Sequence, residues 1–461
     1  MGTKNYIVAL ELGSSKVSGA VAVENYEGIN VIAYASEPVN GFIAKGVVRN
    51  IDETSKCLTS IINKLETQLD GATIQKAYVA LGGLSLQSTK STVKREFSEY
   101  TKITQEIIDE MAFENDCLFC APEGYQKVRV ITQEYKMGGD TSLNPIGMSV
   151  RHIECNYLNI VIKDQFMKQL QESFQLAKIE IADSFTAARI NAEQLLNNDE
   201  KRDGCALVDI GAETTTVTIY TKNLMRKLCV IPLGSANITR DLQAEHISQA
   251  DAETLKIHAG YKAERFGESS ISSELRNNII AARMMEILQN VYQQIKRSGE
   301  NLSNAVITGG GAKLKNIELL LNDNLPGLKI RIATEPFIEF STSSTLRVKR
   351  EEINTTLLGL LKGGKDNCCQ EPKQQVVMQN MFKDEEETLK KEPETPVQPE
   401  KPADGKKQQE EEIKKSKTPK KPFFSGLFGD WTKTIKDSAK DFVNNATKEE
   451  DDYTNDDEEN N

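Results

Sequence analysis

Histidine is scarce in this sequence. Only His152, His246 and His258 are present, so imidazole metal triads and enzymes with a histidine general base lose most of their footing. Chemistry falls instead to carboxylates, backbone N–H groups and bound ions. Aromatic residues are sparse at 6%, with one tryptophan, and no apolar run approaches the ~20 residues that cross a bilayer. The first residues, Met1-Gly-Thr-Lys-Asn-Tyr6, lack the basic and apolar stretches of a secretory signal, and Tyr6 stands where a myristoylation signal has Ser or Thr. Eight cysteines without such a signal fit a reducing cytoplasm. The expectation is a protein that is soluble or lies on a membrane surface. With 57 Lys+Arg against 68 Asp+Glu the net charge is −11, which suits no nucleic-acid partner.

The 461 residues suggest roughly two to four domains, and the charge is unevenly spread among them. Residues 365–461 hold 17 Lys+Arg and 24 Asp+Glu, a net of −7, and seven of the 13 prolines; the preceding body has a net of −4. A Glu/Lys/Gln/Pro-rich stretch cannot bury enough apolar surface to offset its ordering entropy, so 365–421 is expected to be a disordered linker spanning ~40–45 Å on average.

The body contains an internal echo. Ile7-Val-Ala-Leu-Glu-Leu-Gly-Ser-Ser-Lys-Val and Ala206-Leu-Val-Asp-Ile-Gly-Ala-Glu-Thr-Thr-Thr-Val share one scheme: a buried-strand run, an acid, one apolar residue, a glycine, a small polar turn and an alternating second strand. Glu11 matches Asp209 and Gly13 matches Gly211, an offset of 198 residues. Two related αβ lobes follow. A glycine just past a strand lets backbone approach a phosphate, and the N–H and hydroxyl groups of Ser14, Ser15, Thr214 and Thr215 can donate to its oxygens. The acid at the strand end can hold Mg²⁺ through water. One such hairpin alone is most often a plain turn; a facing pair would clamp a metal-nucleotide.

A third glycine turn, Asn304-Ala-Val-Ile-Thr-Gly-Gly-Gly-Ala-Lys, predicts a strand ending at Thr308 and a helix starting near Lys313. Gly309, Gly310 and Gly311 would let a nucleoside lie against bare backbone. The turn fits neither a Walker loop nor a dinucleotide fingerprint. Glu253 and Lys256, three apart on a predicted helix, are either an ordinary surface pair or ribose ligands.

Together these segments resemble the actin-like nucleotide-binding proteins, and within them the FtsA family of bacterial cell-division proteins. The phosphate loops are similar at Glu11-Leu-Gly-Ser-Ser-Lys16 and Asp209-Ile-Gly-Ala-Glu213-Thr-Thr215, with Ala212 between, and the adenosine loop at Thr308-Gly-Gly-Gly-Ala312. Ile231-Pro-Leu-Gly-Ser-Ala-Asn, Tyr78-Val-Ala-Leu-Gly-Gly-Leu and Asn144-Pro-Ile-Gly-Met-Ser add to the likeness, which covers about residues 5–362. The resemblance implies an α/β, actin-like, two-lobed fold of two RNase H-like domains. The first lobe would take residues 1–83 and 161–199, with an inserted subdomain at 84–160. The second lobe would take 200–232 and 303–364, with a small upper subdomain at 233–302. It also implies ATP and Mg²⁺ in the cleft, Glu11 and Asp209 near the metal, and slow hydrolysis at most. Where relatives place Glu or Gln to position water, this chain has Asp183, which is one methylene shorter than Glu. Glu11 itself replaces a more usual Asp.

The insertion reads as an alternating stretch over Leu84–Phe97, a helix capped by Thr104, and a second alternating stretch over Lys127–Tyr135. Cys117 and Cys120 within it lack the second pair a zinc site needs, so buried thiols are expected. The resemblance assigns this subdomain to self-association into filaments and to other divisome proteins. It also places the FtsZ C-terminal peptide on the upper subdomain, where Arg276 and Arg283 are candidate partners.

The tail holds one apolar island. Wound as a helix over 422–444, Phe424, Leu427, Phe428, Trp431, Ile435 and Phe442 form one stripe, with Lys433, Lys436 and Lys440 on the other side. Such a helix suits lying in an anionic membrane surface, with a gross gain of ~5 kcal/mol before ordering costs, or docking on another protein surface. Eight acids follow within the acidic end, 445–461. The reading as a whole is an ATP-binding, actin-like protein that tethers FtsZ to the cytoplasmic side of the inner membrane at the division site. A sugar or acid kinase and a pilus-assembly actin homologue are the alternatives.

Overall fold

The computed structural model describes residues 4–25, 28–262, 271–333, 335–343, 346 and 353–371. The chain starts with strands β1 (Tyr6–Leu12), β2 (Lys16–Asn25) and β3 (Gly28–Pro38), the hairpin β4 (Ile43–Ala44) and β5 (Val47–Val48), helix α1 (Ile51–Glu66), and strands β6 (Thr73–Ile74) and β7 (Lys76–Leu81). The insertion follows as β8 (Leu86–Lys102), α2 (Gln105–Leu118), β9 (Tyr125–Met137), β10 (Asp140–Ser142) and β11 (Ser149–Lys163). Next come α3 (Asp164–Leu176), β12 (Glu180–Thr186), α4 (Ala187–Leu195), α5 (Asn198–Asp203), β13 (Cys205–Ile210), β14 (Thr215–Thr221) and β15 (Leu224–Ile231). Helices α6 (Ala236–Gln243), α7 (Gln249–Ala259) and α8 (Ser273–Lys296) lead to β16 (Asn304–Thr308), α9 (Ile317–Asn324), β17 (Lys329–Ile332), β18 (Phe340–Thr342), α10 (Thr355–Gly363) and β19 (Cys369–Gln370).

Two sheets repeat one scheme. In the first, ordered β12-β7-β1-β2-β3-β18, the antiparallel meander β1-β2-β3 has parallel β7 beside β1. In the second, ordered β15-β14-β13-β16-β17, the meander β13-β14-β15 has parallel β16 beside β13. The opening strands read as unbroken apolar runs because both faces of each sheet are covered. Along β13, Cys205 and Leu207 belong to the core of the first lobe, while Ala206, Val208 and Ile210 join the core beneath α6, α7 and α8. Helices α4 and α10 cross tightly at Gly359, where an added Cβ would lie 1.8 Å from Ile190 Cγ2.

The insertion is a separate layer, sheet β10-β9-β11-β8, with its own core around Met111, Ile153 and Tyr157. It docks on the edge strand of the second sheet. Ser88 Oγ donates to Leu228 O at 3.0 Å and accepts from Leu228 N at 2.9 Å. Arg226, 6% exposed, donates to both carboxylate oxygens of Glu134, to Gln133 Oε1 at 2.9 Å and to Thr221 Oγ1 at 3.0 Å. This guanidinium holds the Glu134 carboxyl down to about 2. Thr104 stands at the N-cap of α2, though its side chain makes no capping hydrogen bond. Cys117 is partly buried and Cys120 is exposed, contrary to the expectation of two buried thiols.

Three expected boundaries move. Strand β18 and helix α10 do not stay with the second lobe: β18 pairs in parallel with β3, and α10 supplies Leu357, Leu358, Leu360 and Leu361 to the first core. The helix expected near Lys313 begins at Ile317, because Gly310–Lys313 form a 3-10 turn and Asn316 adopts a left-handed φ of 59°. Residues 365–371, expected to open the linker, are part of the body. Cys368 N donates to Tyr6 O at 2.7 Å, Tyr6 N donates to Asn367 Oδ1 at 3.1 Å, and β19 pairs with β6, so the body continues to Glu371. The apolar stripe from Phe424 to Phe442, with Lys433, Lys436 and Lys440, lies outside the described residues. Among the described residues, no helix is long and apolar enough to cross a membrane.

Candidate functional site

The two hairpins adopt the same turn. Gly13 N donates to Lys16 O at 3.1 Å and Gly211 N donates to Thr214 O at 2.8 Å. Glu11 pairs in register with Ser18 and Asp209 with Thr216, so the 198-residue offset of the sequence holds residue for residue. An added Cβ would lie 2.8 Å from Lys16 O at Gly13 and 3.0 Å from Thr214 O at Gly211, which is why glycine stands at both places.

Glu11 and Asp209 stand at matching places of the two hairpins, near enough for the charge of Asp209 to act on Glu11. Both are partly buried. Burial pushes each carboxyl up from its ordinary value, and the neighbouring Asp209 charge adds to the effect on Glu11. Polar side chains from two helices hold them in place. Asn354, which caps α10 through Leu357 N at 2.8 Å, donates to Glu11 Oε2, and Asn191 of α4 donates to Asp209 Oδ2 at 3.1 Å. Thr356 Oγ1 donates to Asn191 Oδ1 at 3.1 Å and closes the chain between them. Asn191, Asn354 and Thr356 are not among the site residues expected from the sequence. Asn354 was within reach of sequence reasoning as an N-cap ahead of Thr-Thr-Leu-Leu; Asn191 carried no signal.

The third glycine turn meets the second hairpin. Gly309 has φ 89°, and a Cβ there would lie 2.3 Å from Asp209 Oδ1. Gly311 packs on Ile210, where a Cβ would lie 2.3 Å from its Cγ2, while Gly310 faces open space. The structure therefore brings together Glu11, Gly13–Lys16, Asp209, Gly211–Thr215 and Gly309–Gly311.

Several predicted ligands have other engagements. Thr215 is fully buried and donates its hydroxyl to Leu233 O at 2.8 Å, so that proton does not face the cleft. The carbonyl of Ala212 accepts from Ala236 N at 2.7 Å. Glu213 accepts from Lys45 N at 2.7 Å, and its other oxygen from Arg240 at 3.2 Å. Ser14 Oγ accepts from Gly46 N at 2.8 Å, which leaves its own proton available, and Ser15 is exposed. Lys16 Nζ reaches Tyr34 Oη at 3.4 Å. Lys256 is 8% exposed and donates to Ser235 O, Thr239 Oγ1 and Glu253 Oε2 at 3.4, 3.0 and 2.8 Å. It ties α6 to α7 rather than standing free for a ribose. Burial works against the Glu253 charge, but Lys256 and Thr239 hold its carboxyl below the ordinary value.

Three candidates lie elsewhere. Asp183 is aligned across β7 with Ala9, two residues short of Glu11, and its exposed carboxylate accepts from Ser184 N at 2.7 Å. Arg276 is 2% exposed and therefore is not a surface residue awaiting an acidic peptide. Arg283 is fixed to Asp241 by paired hydrogen bonds of 2.6 and 2.9 Å.

The family model for Cell division protein FtsA matches residues 206–349. Cell division protein FtsA of Porphyromonas gingivalis is 28% identical over 339 residues, 68% of this chain and 70% of that protein. The protein of the same name from Bacillus subtilis is 27% identical over 359 residues, 73% of this chain and 80% of that protein. Over these stretches the chain is similar to Cell division protein FtsA. A solved PilM-PilN type IV pilus biogenesis complex matches with a TM-score of 0.54 at 16% identity, over 77% of this chain and 97% of that one. That likeness is one of fold alone, a mixed α/β fold. The FtsA match begins at β13, so it takes in the second hairpin and the third glycine turn but stops before Asn354.

Proposed function

We propose that this chain is an actin-like, ATP-binding cell-division protein that anchors FtsZ to the cytoplasmic side of the membrane and assembles with copies of itself. The observation that carries the nucleotide part is the matched pair of hairpins with Glu11 and Asp209 at matching places. The two carboxylates are hard oxygen donors that fit a hydrated Mg²⁺, and the turn N–H groups fit the phosphates it accompanies. The metal would neutralise the polyphosphate and the two acids; Gly13–Lys16 and Gly211–Thr214 would orient the phosphates by N–H and hydroxyl donors. Gly309–Gly311 would leave room for the nucleoside. Asp183, exposed and aligned below Glu11, favours retention of ATP over rapid hydrolysis, and its distance along the sheet also disfavours a kinase-type catalytic acid.

The FtsA relationship supports the cellular part: FtsZ as partner, the insertion as a surface for other divisome proteins, and the tail helix as the membrane contact. The experiment is co-sedimentation of FtsZ with anionic vesicles in the presence of the full chain or of a chain ending at residue 421. Recruitment by the full chain alone is expected, and failure of both to recruit FtsZ sinks the tether. Asp209→Ala is expected to abolish ATP binding measured by calorimetry while circular dichroism stays unchanged. Unaltered affinity would mean that the cleft is assigned wrongly.

A further inference from the structure

The loop between β4 and β5 touches both hairpins at once. Lys45 N donates to Glu213 Oε2 at 2.7 Å, and the next N–H, of Gly46, donates to Ser14 Oγ at 2.8 Å. Ser14 belongs to the first hairpin and Glu213 to the second. Lys45 has φ 53° and Gly46 φ 69°, a left-handed pair that directs two successive N–H groups outward. The loop is braced from behind: Leu84 N donates to Lys45 O at 2.9 Å, and a Cβ at Gly46 would lie 2.6 Å from Gly83 Cα.

Glu213 is aimed from its own side as well. Arg240 of α6 holds its Oε1, and the carboxylate side chain is 23% exposed. Hairpin geometry does not require an acid at this position, because the matching residue of the first hairpin is Ser15. A bare carboxylate beside a polyphosphate would repel it. Here the guanidinium neutralises the charge and the Lys45 N–H takes one oxygen.

We propose that Glu213 is an interlobe latch, a positioning residue that ties the second phosphate hairpin to the first lobe and slows release of the nucleotide. The proposal rests on the nucleotide reading above and adds to it a named closure contact. A charge-assisted hydrogen bond of this kind is the strong sort, and it crosses from one lobe to the other at the place where the lobes must part for a ligand to leave.

The test uses the full chain and two readouts. Hydrogen exchange followed by mass spectrometry reports the amide of Lys45, and stopped-flow displacement of a fluorescent ATP analogue reports release. In Glu213→Ala the Lys45 amide should exchange about tenfold faster and the analogue should leave about tenfold faster, while amides of β13 keep their protection. Arg240→Ala should fall between this variant and the unaltered protein. Lys45→Gly keeps both the N–H and the left-handed φ, so it should match the unaltered protein. Unchanged Lys45 exchange in Glu213→Ala overturns the latch. Faster exchange with unchanged release overturns its role in retention. Absence of any nucleotide binding by the unaltered chain defeats the nucleotide reading and that role with it, while the exchange result judges the latch separately.

Discussion

At the scale of single residues, the chain places two carboxylates where charge is costly. Burial raises both Glu11 and Asp209, and each charge opposes the other at Glu11. A carboxyl raised in the folded state binds its proton more tightly there than in the unfolded chain, so its contribution to stability is present at low pH and is lost as pH rises through the raised value. Glu11→Gln removes that loss, and the Gln side-chain oxygen can still accept from Asn354. The variant should melt about 2 °C above the unaltered protein at neutral pH, with the difference closing near pH ~4. Thermal unfolding at several pH values checks this, and a neutral-pH melting point unchanged or lowered would contradict it. The acids themselves were legible in the sequence, because a strand ending in acid-apolar-glycine occurs twice at one offset. Burial of charged residues was not. Lys256 and Arg276 look like surface residues by spacing, yet α7 and α8 turn them inward; helical spacing fixes a face, and only the neighbouring helix decides whether that face is covered.

At the scale of elements, the local periods predicted the first two strands of each meander and two strands of the insertion, β8 and β9, since each alternates or runs apolar over its own length. Long-range returns were illegible. Nothing in residues 340–363 signals that β18 and α10 rejoin the first lobe, because a parallel partner and a helix face are chosen by tertiary packing. That return lets α10 reach both acids, Glu11 directly through Asn354 at its cap and Asp209 only by way of Thr356 and Asn191. Its seat against α4 depends on a single missing side chain, Gly359. Gly359→Ala forces a methyl against Ile190 Cγ2 and should destabilise the fold by about 1–3 kcal/mol, read from urea unfolding. Ile190→Ala alone should also destabilise, by about 2–5 kcal/mol, through the cavity it leaves. In the double variant the added methyl occupies part of that cavity, so its cost should be less than the sum of the two single changes. Strict additivity would show that the crossing at Gly359 does not set the packing.

At the scale of the whole molecule, the net charge of −11 describes two different materials. The body up to residue 364 has a net of −4 and holds a cleft whose behaviour depends on a few buried groups, while residues 365–461 add −7. The acidic end lies directly after the apolar island, so a surface that is strongly anionic repels the last residues even as Lys433, Lys436 and Lys440 are drawn to it. Binding should therefore have a maximum at intermediate anionic content rather than rising steadily. The chain supplies its own reporter, since Trp431 is its only tryptophan and sits in the apolar stripe. Adding vesicles of neutral lipid mixed with increasing phosphatidylglycerol should shift Trp431 emission to the blue, as burial of the indole in the interface lowers the polarity around it. Removing residues 449–461 should abolish the decline, so that the shift rises steadily with phosphatidylglycerol. Emission that stays unshifted at every composition would exclude membrane contact by this segment and leave docking on a protein surface as its role; a steady rise in both chains would show that the acidic end does not tune the attachment.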